Sequence, residues 1–84
     1  MLTVRFFARL RETLDCAALQ LPWQEDLTDL RALEALLCER GGETWRQALA
    51  EDNVLRAVNQ VVVNGNPSLR DGDEVAFFPP VTGG

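Results

Sequence analysis

The chain has 84 residues, 46% hydrophobic and 25% charged, which is the composition of one small globular domain rather than of a disordered segment. Its 13 acidic and 8 basic residues give a formal net charge of −5, which argues against nucleic acid or an anionic membrane surface as a partner. It contains no histidine, and this excludes histidine general bases, Ser-His and Cys-His nucleophile pairs and the usual histidine metal ligands.

The first half of the chain predicts two strands followed by a helix. Leu2–Phe7 alternates apolar and polar residues imperfectly and predicts a strand, and Cys16–Leu21 predicts a second, shorter one. The segment LTDLRALEALLCERGG predicts the main helix, capped by Thr28 or Asp29 and ended by Gly41-Gly42. The side chains that share the inward stripe of this helix are Leu30, Leu33 and Leu37.

The second half predicts strands joined by turns. A brief helical turn is expected around Trp45–Ala50, and Val54–Val63 reads as extended chain with an interruption at Asn59-Gln60. Asp71-Gly72-Asp73 lacks the spaced oxygen ligands of a calcium loop and predicts a tight turn leading into a last strand, Glu74–Phe78. The order β-β-α-β-β predicts an α+β roll, with one main helix on one face of a mixed sheet of four or five strands.

The N-terminal segment and the cysteines bear on location. MLTVRFFARLRE is charged at Arg5 and Arg9, so it has neither the apolar region of a signal peptide nor the length of a membrane span. Cys16 and Cys38 lie in apolar surroundings with no further motif cysteine nearby, and free buried thiols are expected rather than a disulfide. We therefore expect a cytoplasmic protein.

Strand parity predicts an exposed apolar patch. If Leu2, Val4 and Phe6 face the helix, then Phe7 points to the other face, since successive side chains alternate. By the same argument Val62 points outward if Val61 and Val63 face inward, and Phe78 does so if Val75 and Phe77 face inward. Single exposed hydrophobic residues often pack under loops, but three from three strands favour a protein-binding patch. The patch comprises Phe7, Val62 and Phe78.

The C-terminal stretch FFPPVTGG predicts a projecting arm. Pro79 and Pro80 end the strand and favour extended polyproline geometry, while the β-branched Val81 and Thr82 prefer extended backbone. Gly83 and Gly84 carry no side chains and leave the α-carboxylate of Gly84 unhindered. We therefore divide the chain into a domain over 1–78 and an extended, flexible tail over 79–84, whose tip a partner with a narrow tunnel could reach.

The same residues resemble a known family. The tail, preceded by DGDEVA and by AVNQ at Ala57–Gln60, is similar to the small subunit of molybdopterin synthase, the MoaD family, as is VRFFARLRE at Val4–Glu12. The resemblance spans the whole chain, and the last fourteen residues carry most of its specificity; the segment from Leu14 to Asn53 carries little. Wider relatives are the thiamine-pathway sulfur carrier and ubiquitin, so the resemblance implies the ubiquitin-like β-grasp fold.

The resemblance also implies a reaction cycle. An E1-like adenylyltransferase using ATP and Mg²⁺ would adenylate Gly84, and a sulfur donor system would convert the adenylate to a thiocarboxylate. The carrier would bind the large subunit of the synthase through Phe7, Val62 and Phe78 and deliver sulfur to cyclic pyranopterin monophosphate, within a heterotetramer. It would bind no cofactor or metal itself, and the catalytic groups would lie on the large subunit.

Two other functions stay open on the sequence. One is a ubiquitin-like modifier whose Gly84 is conjugated to lysines of target proteins, or a thiamine-pathway carrier, because the tail chemistry is the same up to the adenylate. The other is a β-grasp interaction module with an inert tail.

Overall fold

The computed structural model describes residues 1–51 and 53–79 of the chain. Its elements are, in order, β1 (Leu2–Phe6), α1 (Ala8–Leu14), β2 (Ala18–Leu21), α2 (Leu30–Ala50), β3 (Leu55–Val58), β4 (Val61–Val63) and β5 (Glu74–Phe78). The strands form one sheet in the order β2-β1-β5-β3-β4, in which β1 and β5 are parallel and the other pairs antiparallel. The predicted mixed sheet with a main helix on one face is confirmed. Neither described helix is long and apolar enough to cross a membrane.

The core lies between the sheet and α2. Alternate residues of the central strands β1 and β5 are buried there, and so is the predicted leucine stripe of α2. Phe6 stacks on Phe77 with ring centroids 5.7 Å apart and meets the edge of Trp45 at 5.2 Å. The buried residues of these three elements are Leu2, Val4, Phe6, Leu30, Leu33, Leu37, Ala48, Leu49, Val75 and Phe77.

The N-cap of α2 is Asp29 and not Thr28, the other residue that the sequence offered for this position. Its carboxylate accepts a hydrogen bond from the Ala32 N–H at 2.8 Å. The first two helix N–H groups are satisfied from the loop before β5, because Leu30 donates to the Pro67 carbonyl at 3.1 Å and Arg31 to the Asn66 side chain at 2.8 Å. This loop therefore anchors the start of the helix to the sheet.

The predicted stop at Gly41-Gly42 is a break in the main helix, and a second helical segment continues beyond this kink to Ala50 within the same element α2. Gly42 has φ 76° and ψ −158°, which interrupts the helical backbone at that point. Gly41 packs directly against the Trp45 ring, and a Cβ at this position would overlap the ring atoms. The segment Trp45–Ala50, predicted as a brief helical turn, is the continuation that this contact and the Phe6–Trp45 contact hold against the core.

The helix α1 was missed, so the predicted order lacks an element between the first two strands. Leu10 and Leu14 are four residues apart and both are buried, which places them on one face of the helix. Its C-terminus is closed by Asp15 in the left-handed region at φ 51°. The Leu10–Leu14 spacing was the available signal, but seven residues give it only two apolar positions.

The turns leading to β4 and β5 are joined by hydrogen bonds. The predicted interruption at Asn59-Gln60 is the β3–β4 hairpin turn, with φ angles of 50° and 69°. The Asn59 side chain donates to Asp73 at 2.9 Å and accepts from the Glu74 N–H at 3.0 Å. Asp73 also accepts from the Arg70 N–H at 2.8 Å, so this acidic segment forms the predicted turn.

Both cysteines are free, as predicted, and both are half-buried rather than fully buried. Burial raises the pKa of the Cys38 thiol, an effect that Arg46 partly opposes and Glu34 reinforces. The protonated thiol is therefore favoured at this site.

Candidate functional site

The sheet face that the main helix leaves open has a floor of small side chains. The pairing register places Arg5 opposite Ala76, Ala76 opposite Ala57, and Ala57 opposite Val62, in one row across four strands. Ala57 is only 5% exposed although it lies outside the core cluster, because its larger neighbours on the open face cover it. Two alanines at the centre of the row make the face concave.

The structure brings the three residues of the predicted patch to this concavity. Phe7 is 44% exposed, Val62 is 58% exposed and Phe78 is half-buried. They line one groove of about 430 Å³, whose lining residues are Arg5, Phe7, Ala57, Gln60, Val62, Glu74, Ala76 and Phe78. Exposed apolar side chains from separate strands around one groove form a contiguous surface that water solvates poorly. We call these residues the open-face groove.

Two other exposed residues of this sheet were not predicted. Leu55 pairs directly with Phe78 and is 36% exposed, so it extends the apolar surface beside the groove. Parity from Ala57 would have placed Leu55 on this face. Val61, predicted to face inward, is 65% exposed because it lies at the start of the edge strand β4, whereas Val63 packs against the core.

Charged residues lie at the rim of the open-face groove. The Arg5 Nε lies 3.3 Å from a Glu74 carboxylate oxygen, and both side chains are partly exposed, at 49% and 32%. An ion pair this accessible contributes at most about 1 kcal/mol to stability. Both charges therefore stay close to water and are available to a partner.

The tail leaves the sheet from the rim of the open-face groove. Phe78 is the last residue of β5, and Pro79 follows it directly. The Phe7 N–H donates to the Phe77 carbonyl at 3.1 Å, which holds Phe7 beside the end of β5. The chain then turns into α1 through Ala8, whose φ is 54°.

Pro79 is half-buried against the two helices. It lines a cavity of about 80 Å³ whose other residues are Arg9, Leu10, Thr13, Ala48, Glu51, Asn53 and Val54. The remaining predicted tail residues, Pro80, Val81, Thr82, Gly83 and Gly84, lie outside the described residues. The base of the arm at Pro79 therefore packs on the helix side, directly after Phe78, which lines the open-face groove.

The fold and the groove define the class of the protein. The profile of the ThiS family matches residues 4–84, and the chain belongs to this family. It is 43% identical over 86 residues to the molybdopterin synthase sulfur carrier subunit of Escherichia coli, with all of both chains covered. It is 40% identical over 84 residues to the subunit of the same name from Haemophilus influenzae, again with all of both chains covered.

A third relative has a different name. The small archaeal modifier protein 3 of Haloferax volcanii is 34% identical over 92 residues, which cover 99% of this chain and 98% of the relative.

Solved structures agree with the family. A Pyrococcus furiosus structure described as subunit 1 of a molybdopterin converting factor matches with a TM-score of 0.75 and 27% identity, over 95% of this chain and 97% of that one. A complex of subunits 1 and 2 of the molybdopterin-converting factor from Helicobacter pylori contains a chain that matches with a TM-score of 0.68 and 27% identity. That match covers 99% of this chain and 97% of the other. The ubiquitin-like β-grasp fold is confirmed.

Proposed function

We propose that this chain is the sulfur-carrier subunit of a molybdopterin synthase. The observation that carries the proposal is the position of the tail: its first residue, Pro79, directly follows Phe78, which lines the apolar open-face groove. A partner seated on the groove has the base of the arm at its edge. Five extended residues beyond Pro79 span at most about 18 Å, which is enough to enter an active site in that partner.

The chemistry takes place at the C-terminus of Gly84. In the first step a carboxylate oxygen attacks the α-phosphorus of ATP, and pyrophosphate leaves with Mg²⁺ at the activating E1-like enzyme. Hydrosulfide supplied by a donor system then attacks the acyl carbon, AMP leaves, and the product is a thiocarboxylate. Activation is needed because a free carboxylate, with a pKa near 3.5, is ionised at neutral pH and resists nucleophilic attack.

Sulfur delivery follows on the large subunit of the synthase. The thiocarboxylate sulfur forms a carbon–sulfur bond to cyclic pyranopterin monophosphate and displaces an oxygen substituent there. Water then cleaves the acyl–sulfur bond, which leaves the sulfur on the substrate and returns the carboxylate of Gly84. Two such transfers supply the two sulfurs of the dithiolene. The chain contributes no histidine to these steps, and we assign the acid-base groups to the partner enzymes.

The open-face groove is the docking surface for the large subunit. Phe7 and Phe78 supply large aromatic area, and Val62 lies across the alanine floor from them. Two carriers on a large-subunit dimer give the heterotetramer, and the reactions take place in the cytoplasm.

A second candidate is protein modification, which the archaeal relative favours. That relative is named a modifier protein, and its 34% identity covers nearly the whole chain. Both functions share the adenylate of Gly84, and they diverge when either a sulfur nucleophile or a lysine amine attacks it.

The first experiment tests the tip. The purified chain is incubated with an E1-like enzyme, ATP, Mg²⁺ and a sulfur donor, and intact mass is measured. We expect the mass increase of one oxygen replaced by sulfur, and its loss in a variant lacking Gly84 that stays folded, because chain ends contribute little to stability. Lysine-linked adducts in cell extract, without the thiocarboxylate, would instead support the modifier.

The second experiment tests the groove with neighbouring residues of β4. Val62→Asp should weaken large-subunit binding in calorimetry by about 1–3 kcal/mol, because it introduces a charge into an apolar contact. Val61→Asp is the matched control, since Val61 is at least as exposed as Val62 but does not line the groove. Equal binding by both variants would contradict the docking assignment.

A further inference from the structure

A second groove lies between the edge strand β2 and the helix α2. Its volume is about 300 Å³, and it shares no lining residue with the open-face groove. The residues that line it are Leu19, Gln20, Leu21, Leu37, Arg40, Gly41 and Trp45. We call it the β2–α2 groove.

The outer side of β2 is an open hydrogen-bonding edge. β2 is the last strand of the sheet in the described part of the chain. The Phe6 N–H donates to the Ala17 carbonyl at 2.9 Å, so in the alternating antiparallel pattern Ala18 and Gln20 turn their N–H and C=O groups away from β1. Within residues 1–51 and 53–79, the Ala18 carbonyl accepts only a thiol contact, from Cys16 at 3.6 Å.

This edge carries none of the charges that usually protect an edge strand. The segment Cys16–Trp23 contains no charged residue, whereas exposed edges are commonly blocked by charges, bulges or covering loops. Leu19 and Trp45 are half-buried and leave apolar surface beside the open edge. A strand added beside β2 could therefore hydrogen-bond to the outward N–H and C=O groups of β2 and place side chains on the apolar surface of the β2–α2 groove.

Arg40 decides the chemistry of the occupant. It is the one charged residue that lines the β2–α2 groove, it is exposed, and it forms no hydrogen bond or ion pair with the residues described by the structure. A carboxylate on the occupant would complement it. A second copy of β2, with the sequence ALQL, offers no such carboxylate.

We propose that the β2–α2 groove binds an extended peptide segment of a partner protein, which adds to β2 as a strand, with apolar side chains in the groove and a carboxylate at Arg40. Backbone hydrogen bonds provide affinity in such strand addition, and alternate side chains provide specificity. The open-face groove stays free, so the two surfaces can be occupied together. This proposal does not depend on the proposed sulfur-carrier function.

The test uses synthetic peptides and the isotope-labelled full chain in NMR titrations. The probe is the acetylated, amidated peptide KTITVTDTK, whose isoleucine, valine and aspartate share one face of a strand. We expect shifts at Ala18, Gln20 and the Trp45 indole, and none at Phe7 or Val62. In a control peptide, the threonine just before the valine is replaced by proline. This threonine does not belong to the isoleucine–valine–aspartate face, and proline removes its backbone N–H, which would hydrogen-bond to β2. We expect the control peptide to bind at least tenfold more weakly.

Charge reversal provides the second arm. Arg40→Glu should lower the affinity for the aspartate probe at least tenfold. The same variant should bind a second probe, in which lysine replaces the aspartate, more tightly than the parent chain binds that second probe. Arg31→Glu is the matched control, because Arg31 is exposed on the same helix and does not line this groove. The proposal is overturned if millimolar probe causes no shifts, or if the shifts are confined to the open-face groove. It is also overturned if Ala18 and Gln20 shift when the chain alone is concentrated, because that result would indicate self-association.

Discussion

Phe6 and Phe7 are adjacent in the chain, and so are Phe77 and Phe78, yet each pair is divided between the two faces of the sheet. Phe6 and Phe77 are 1% and 0% exposed and stack on each other, whereas Phe7 is 44% exposed and Phe78 lines the open-face groove. The helix-covered face is filled with large side chains, while the open face has an alanine floor with aromatics at one end. Similar residues thus stabilise the fold on one face and remain available to a partner on the other.

The largest expected effect comes from comparing Phe6→Ala with Phe7→Ala. Removing the buried ring leaves a cavity against Phe77 and Trp45 and should lower the free energy of unfolding by about 3–5 kcal/mol. Phe7→Ala should cost no more than about 1 kcal/mol, because much of its ring is already in water. Urea denaturation of both variants measures the difference, and similar losses would mean that Phe7 also supports the core.

The same comparison extends to the two ion pairs that involve strand arginines. On the helix-covered face Arg56 donates to both Glu34 oxygens, at 2.7 and 2.9 Å, and to the Leu49 and Val54 carbonyls. The Arg56 and Glu34 side chains are 25% and 23% exposed, less than those of Arg5 and Glu74 on the open face. Arg56 therefore links α2 to β3, whereas Arg5 contributes a charge to the rim.

Arg56→Met should destabilise the fold by about 1–3 kcal/mol, a value reduced for the partial exposure of the pair. Arg5→Met should change stability by less than about 1 kcal/mol. Thermal denaturation at low and high salt separates the two effects, and adding Glu34→Gln to Arg56→Met should recover part of the loss. No recovery in the double variant would show that the carbonyl contacts, rather than the carboxylate, account for the stabilisation.

Much of this arrangement could be predicted from the sequence because it depends on local periodicity. Period-two alternation in β1 and β5 identified the residues on each face, and the leucine stripe with Asp29 identified the start of the main helix. Leu55 could have been assigned by the same rule. The pairing of Arg56 with Glu34, 22 residues apart, could not, because it depends on how the helix packs on the sheet.

Two local features were also beyond sequence reasoning. α1 has only two buried positions, and its first residue, Ala8, adopts a positive φ that an alanine rarely takes. The helical segment after Gly42 packs Trp45 against Phe6, which is a long-range contact. The glycine pair does interrupt the helix, as propensity favours, but the packing of the segment that follows it could not be predicted from propensity.

The smallest expected effect concerns the hairpin turn at the edge of the open face. Gln60 has φ 69° at the second central position of the β3–β4 turn, where glycine is strongly preferred. Gln60→Gly should stabilise the fold by about 0.5–1 kcal/mol, because it relieves this strain and the partner residue Asn59 keeps its hydrogen bonds to Asp73 and Glu74. Gly72→Ala is a control with the expected effect reversed, because it replaces a glycine at positive φ by a residue with a side chain. The φ of Gly72 is 97° and an added Cβ meets nothing within 4 Å, so any loss of stability comes from backbone strain and not from a clash. Because Gln60 also lines the open-face groove, calorimetry with the large subunit separates its two roles. If the Gln60→Gly variant is more stable and binds the large subunit equally well, the aromatic end and the alanine floor of the groove provide the affinity. If the variant is less stable than the parent chain, the glutamine side chain stabilises the turn.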